Sequence, residues 1–210
     1  MLRFEEKMKL EGTWDIEKVG TTKSRERQTH EIQSRDIISE SAYVQTSDPD
    51  ALQYDRERCR MALWRFNEAC KPDSAICQQE RNQLFLHVLM PRPNAGPLSP
   101  SPGVIVESPF KCLYGYNLQI GEDVLISENC QFLDNFPIRI GARTWIGAGV
   151  QILTSGIPFH VPTQGRVVIE QECWVGPGCI IYPGVSLHKG AYVAPGQVVK
   201  QDIRPYGFQC

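Results

Sequence analysis

From about Gly103 to Pro205 an aliphatic or aromatic residue falls at every sixth position of the chain. Ile120, Ile126, Phe132 and Ile138 keep this spacing; after a slip of two residues it resumes at Ile140, Ile146 and Ile152, and after a gap it runs through Ile169, Val175, Ile181, Leu187, Val193 and Val199. Four positions beyond several of these stands a second small residue, as at Val124, Cys130, Thr144, Cys173, Cys179 and Ala191. A period of six suits neither an α-helix nor a simple strand. It is the hexapeptide repeat of a parallel β-helix, in which each repeat makes one short strand and corner and three repeats close one triangular coil. Each sixth side chain then points into the prism, stacked on its equivalent one coil away at about 4.8 Å, so aliphatics of limited size are required there. Gly121, Gly141, Gly147, Gly176, Gly184, Gly190 and Gly196 are expected at the corners, where the chain turns sharply.

The pattern before this region is helical. In "TSDPDALQYDRERCRMALWRFN", Ser47 or Asp48 can cap, Pro49 suits a first turn, and Leu52, Cys59, Ala62, Leu63 and Phe66 share one face. A second helix is expected from near Asp73 or Ser74, burying Ile76, Leu84, Phe85 and Val88, and the prolines of "MPRPNAGPLSPSPG" end it. The expected organisation is an N-terminal arm over 1–40, partly mobile, a helical segment over 41–90, a Pro-rich linker over 91–102, and a β-helix over 103–210 with a loop at 153–168. The fold class is mainly β.

Composition narrows the function. With 210 residues, 41% hydrophobic and 22% charged, the chain can bury a core. A net charge of -2 with interspersed signs gives no basic stripe, so nucleic acid is not an expected partner. The start, "MLRFEEKMKLEG", has no uninterrupted apolar run, and no stretch of about 18 apolar residues occurs, so neither a leader nor a membrane span is expected and a cytoplasmic location is. None of the eight cysteines forms a CxxC pair, so no metal site is expected; the thiols read as small buried residues in a reducing compartment.

The stretches "YVQTSDPDALQYDRERCRMALWRFN" and "PFKCLYGYNLQIGEDVLISENCQFLDNFPIRIGARTWIGAGVQIL", followed by "CWVGPGCIIYPGVSL", resemble the sugar O-acetyltransferases of the hexapeptide-repeat family, the maltose and galactoside acetyltransferases. The resemblance covers about Ala42 to Pro205. It implies a left-handed β-helix, a homotrimer with active sites between neighbouring subunits, and acetyl-CoA as donor. It places Trp174 at the cofactor cleft.

Acyl transfer to a hydroxyl needs a base in reach of the nucleophile. The family supplies a histidine in an H-P pair after a T-x-G-like turn; here that turn reads Thr154, Ser155, Gly156, Ile157, Pro158, so the base position holds Ile157. A family asparagine falls at Ser127, and the second acid of a D-D pair falls at Asn135 while Asp134 keeps the first. The lysine that helps hold CoA falls at Gln201, with Lys200 one place earlier. His160, three residues beyond Ile157, is the candidate replacement base, with Asp134 and Tyr114 as further proton carriers. Tyr116 and Glu128 join Ser127, Asn135 and Ile157 as candidate substrate contacts. His188 is expected to point outward, and His30 and His87 carry no expected chemistry. The reading is a divergent acetyltransferase-fold protein that has lost histidine-dependent transfer and acts on a hydrophobic small molecule by cyclisation, isomerisation or dehydration. Two alternatives stand beside it: an acetyl-CoA-dependent O-acetyltransferase using His160, and a non-catalytic subunit of a mixed trimer.

Overall fold

Two buried positions per hexad are enough to close a solenoid. In a computed structural model, which describes residues 48–69, 71, 75–89, 101–156 and 164–210, Ile126, Phe132, Ile138, Ile146, Ile152, Ile169, Val175, Ile181, Leu187 and Val193 are wholly buried. The second small residue of the hexad, at Val124, Cys130, Thr144, Val150, Cys173, Cys179, Val185 and Ala191, is buried beside them. The strands stack in three parallel sheets, a six-stranded sheet A in the order β1-β4-β7-β10-β13-β15, a five-stranded sheet B in the order β14-β11-β8-β5-β2, and a four-stranded sheet C in the order β12-β9-β6-β3. The strands run from β1 (Ile105–Val106), β2 (Lys111–Cys112), β3 (Leu118–Ile120), β4 (Leu125–Ile126), β5 (Gln131–Leu133) and β6 (Ile138–Ile140) to β7 (Trp145–Ile146), β8 (Gln151–Leu153) and β9 (Val167–Ile169). They continue through β10 (Trp174–Val175), β11 (Ile180–Ile181), β12 (Ser186–Leu187), β13 (Tyr192–Val193) and β14 (Val198–Val199) to β15 (Phe208–Gln209). The result is a parallel β-solenoid of about five turns.

The glycines divide into two kinds. The left-handed backbone position recurs along the hexad and is filled by Asp123, Asn129, Arg143 and Glu172 as readily as by Gly178, Gly184, Gly190 and Gly196. Gly121, Gly141, Gly147 and Gly176 are not turning residues; a Cβ there would sit 2.4 to 2.7 Å from the backbone nitrogen of the next coil. Their role is close approach between coils, which corrects the expectation that all the corner glycines relieve a turn.

An open solenoid end exposes its apolar interior and needs a cap. Helices α1 (Pro49–Ala69) and α2 (Gln78–Leu89) supply it. Asp48 starts α1, its Oδ1 accepting from Asp50 N at 3.1 Å and its carbonyl from Leu52 N at 3.1 Å. The second helix begins later than expected, at Gln78, where Glu80 Oε2 accepts from Cys77 N at 2.8 Å and satisfies one of the free N–H groups of the first turn. Phe66, Phe85, Phe110 and Phe132 continue the core from the helices into the prism, with ring centroids 5.5, 5.6 and 5.1 Å apart in turn. Asn67 adds a two-way bond to the backbone of Phe110, donating to its carbonyl at 2.9 Å and accepting from its N–H at 3.0 Å. Among the described residues no helix is long and apolar enough to cross a membrane.

The cysteines are not uniform. Cys59, Cys130, Cys173 and Cys179 are buried, Cys112 is half-buried, and Cys77 and Cys210 are exposed, so the uniformly buried reading is corrected for these three; Cys70 lies outside the described residues.

Candidate functional site

The solenoid's irregularities all fall at one corner. Regular coils have an 18-residue repeat, as between Trp174 and Tyr192 or Ile180 and Val198. In the first coils Lys111 pairs with Gln131 and Gln131 with Gln151, a repeat of 20, and the next step, from Gln151 to Ile180, takes 29. The extra residues fall at the same corner of successive coils, between sheets B and C, in the connections 113–117, 134–137 and 154–166. The slip seen in the sequence at Ile138 and Ile140 has a counterpart one coil earlier, between Leu118 and Ile120, that the sequence reading missed.

This corner carries a network of polar groups joining successive coils. Asp134, wholly buried, accepts three backbone N–H bonds: Leu113 N and Tyr114 N reach Oδ1 at 2.7 and 3.0 Å, and Gly115 N reaches Oδ2 at 2.7 Å. Burial pushes its carboxyl above the usual value, against the pull of those N–H groups. Asn117 Nδ2 donates to Asp134 O at 2.6 Å. Thr154 Oγ1 donates to Leu133 O at 2.6 Å and accepts from Phe136 N at 2.9 Å, and Ser155 Oγ donates to Asn135 Oδ1 at 2.8 Å. An antiparallel bridge between Ser155 and Gln164, with Gly165 N donating to Thr154 O at 2.8 Å, closes the base of the longest insertion. Ile157 and His160 lie in that insertion, outside the described residues.

Tyr114 and α1 meet here as well. The Tyr114 hydroxyl accepts from Arg56 Nε at 2.9 Å, and its carbonyl accepts from the Arg58 guanidinium at 3.0 Å. Tyr114 is buried, with its ring 5.5 Å from that of Tyr116. Asp134 and Tyr114, expected as proton carriers, are thus held in structural bonds, the first by backbone and the second by an arginine. Lys200 belongs to the same corner four coils beyond Tyr114, its Nζ 5.4 Å from the centroid of the Tyr182 ring.

The other expected residues lie elsewhere. Ser127 and Glu128 follow β4, at the corner between sheets A and B, so sheet B separates them from Asn135 and Tyr116 within one chain. Glu128 faces Glu107 there, and partial burial together with the Glu128 hydrogen bond and charge pushes the Glu107 carboxyl up. Trp174 projects from the outer face of sheet A, in register with Ile105, Leu125, Trp145, Tyr192 and Phe208. Its ring is stacked on Trp145 at 4.7 Å and on Tyr192 at 4.3 Å, and Tyr192 stacks on Phe208 at 4.9 Å. Both faces of the Trp174 indole are covered, leaving its edge to solvent or a ligand. The ladder was missed in the sequence because its members stand at unequal spacings.

His188 half-emerges, as expected, with Nδ1 3.0 Å from Glu170 Oε1. Among the described residues, no group of three or more His, Cys, Asp or Glu side chains is placed to hold a metal ion.

No family model matches the chain. It is 30% identical over 174 residues to a Saccharomyces cerevisiae protein named as a candidate acetyltransferase, a match covering 80% of this chain and 82% of that one. Two further curated relatives, a candidate acetyltransferase of Schizosaccharomyces pombe and a nodulation protein of Rhizobium leguminosarum, match over about half their length at 34% and 44% identity. A hexapeptide-repeat acetyltransferase of Vibrio cholerae superposes with a TM-score of 0.62 at 25% identity, over 75% of this chain and 86% of the other. A galactoside acetyltransferase solved in complex with coenzyme A shares the fold, with a TM-score of 0.62 at 22% identity over 78% of this chain and 79% of the other. With the hexad, the capping helices and a relative matched over four-fifths of both chains, this chain belongs to the hexapeptide-repeat acetyltransferase family.

Proposed function

We propose that this protein keeps the family's cleft without its histidine chemistry, and acts on a hydrophobic small molecule by a rearrangement such as cyclisation, isomerisation or dehydration. The observation that supports this is the state of the polar groups at the B/C corner. Asp134 is taken up by three backbone donors, and Ser155 bonds to Asn135. With Ile157 read at the turn where the family places its base, the described part of the corner offers a wall of uncharged Asn135, Thr154 and Ser155 side chains already bonded to one another or to backbone. Such a wall favours an apolar ligand over a sugar that must be held by several polar contacts.

The candidate residues divide between two corners of one chain. A pocket that uses Ser127 and Glu128 together with Asn135 and Tyr116 therefore needs a second copy to bring the opposite edges of sheet B together, and this supports a homotrimer with sites between subunits. In such an assembly Trp174 and Lys200 would be the residues offered to a CoA-like ligand, Trp174 by its edge. Asp134 and Tyr114 would act by holding the 113–117 segment in place, and His160 would be left as the proton carrier of the insertion.

The competing reading is an acetyl-CoA-dependent O-acetyltransferase using His160. The match to the Saccharomyces cerevisiae relative over four-fifths of its length favours it. Calorimetric titration with acetyl-CoA and CoA separates the two. The proposal expects no binding at millimolar ligand, or binding with no transfer to hydroxyl acceptors until Ile157→His is introduced. Robust transfer by the unaltered protein, abolished in His160→Ala, would overturn it. A non-catalytic subunit of a mixed trimer would instead co-purify with an active homologue and bind no ligand of its own.

A further inference from the structure

We propose that Cys59 and Cys112 are a redox pair that closes to a disulfide under hydrogen peroxide, stapling α1 to β2. The sulfurs lie 3.5 Å apart, one on the capping helix and the other on the first strand of sheet B, 53 positions away in the chain. A disulfide bond is about 2.05 Å long, so closure brings the sulfurs together by roughly 1.5 Å.

This pairing sets the two cysteines apart from the buried thiols of the coils. Cys130 Sγ donates to Gly147 O at 3.2 Å, Cys173 Sγ to His188 O at 3.3 Å and Cys179 Sγ to Ala194 O at 3.0 Å. Each of those thiols bonds to a backbone carbonyl and serves as a small core residue. Cys59 and Cys112 instead have each other, at a junction already held by Arg56 and Arg58 of α1 on Tyr114. Cys112 also directly precedes the three N–H groups that bind Asp134, so the staple would fix α1 to the corner that carries Asn135 and Ser155.

Cys112 is the less buried of the two, half-buried where Cys59 is wholly buried, and is assigned as the first to meet the oxidant. In the first step the Cys112 sulfur attacks the peroxide, the O–O bond breaks, and sulfenic acid and water form. In the second the Cys59 sulfur attacks the Cys112 sulfur, the S–O bond breaks, and a second water leaves with the proton of each thiol accounted for. The two thiols together lose two electrons and two protons, which reduce one peroxide to two waters. Burial, the bond to Cys59 and the charge of Asp134 push the Cys112 thiol well up, and Arg58 only partly opposes them. The thiolate is therefore scarce at neutral pH, and the pair answers sustained exposure to oxidant rather than a brief pulse.

The test uses the full chain with Cys70→Ser, Cys77→Ser and Cys210→Ser, leaving Cys59, Cys112, Cys130, Cys173 and Cys179. The folded protein is incubated with hydrogen peroxide, alkylated in denaturant, and examined by intact mass and peptide mapping. The expected result is loss of two alkylatable thiols in the monomer, a linked Cys59–Cys112 peptide, reversal by dithiothreitol, and a thermal midpoint higher by about 5 °C or more. Cys59→Ala in the same background should abolish the linked peptide. Five reactive thiols after oxidation, oxidation of Cys112 to sulfinic acid with no link, or a link that forms only in denaturant would each overturn the proposal. The mapping in the starting background decides the matter even if the alanine variant does not fold.

Discussion

The coils after Gly165 and the coils before it use the same hexad for different ends. From β9 to β14 the repeat is regular, Val168 pairing with Ser186 and Trp174 with Tyr192, and what these coils place inside the prism is almost entirely apolar. From β2 to β8 the same inward positions are kept, but each coil carries extra residues at one corner, and there the buried groups are polar: Asp134 and Thr154, with Asn117 beside them. The difference teaches that a solenoid tolerates insertion at a corner without losing register, because each strand is fixed by the one stacked beneath it. Chemistry can therefore gather at a corner while stability comes from the faces.

That contrast can be broken most severely in the regular coils. Ile181→Ala removes a wholly buried side chain from a close-packed prism and should cost about 2–5 kcal/mol, read as a lower urea midpoint. At the irregular corner, Asp134→Asn weakens the acceptor of three backbone N–H groups and should cost about 1–3 kcal/mol in the same measurement.

The same substitution carries a pH signature. The folded value of Asp134 is raised by burial, so the folded state binds more protons than the unfolded state between the two values. The stability this group contributes is fully present below the ordinary aspartate value and is lost as pH rises through the raised one. Unfolding of Asp134→Asn across the acid range should lack that falling component, and an unchanged pH profile would show that Asp134 titrates alike in both states.

Smaller effects sharpen the comparison. Ser155→Ala frees Asn135 Oδ1 and should cost about 0.5–1.5 kcal/mol, chiefly as faster proteolysis of the insertion that Ser155 and Gln164 close. Asn129→Gly, at a φ of 62°, should move the urea midpoint by no more than a few tenths of a kcal/mol, whereas Asn129→Val should lose about 1–2 kcal/mol, because a β-branched residue resists the left-handed region.

Much of the fold could be read from single positions. Ile126, Ile146, Ile169 and Val193 announce their burial by spacing alone, and Asp48 and Pro49 announce the start of α1. The start of α2 could not be read in this way, because Asp73 and Ser74 are the better cap residues by type, whereas the bond that Glu80 accepts from Cys77 N marks the start three residues further on. The site was less legible. Asp134 is expected as a proton carrier from the sequence, and nothing local shows that Leu113, Tyr114 and Gly115, about twenty residues earlier, turn their N–H groups onto it. Trp174 looks like a lone aromatic wall until Trp145 and Tyr192 are found on its two faces.

The sequence by itself determined the prism: a period of six, two inward residues per repeat, and amphipathic helices ahead of it, all of which follow from local spacing and side-chain size. Only the tertiary structure decided which residues meet across coils. Register between coils depends on the full length of every coil, 20 residues from Gln131 to Gln151 but 29 from Gln151 to Ile180, and no local pattern encodes that sum. The aromatic ladder, the bonds to Asp134 and the meeting of Cys59 with Cys112 all arise from contacts whose partners are remote in the chain, fixed when the strands stack and the helices close over the first coil.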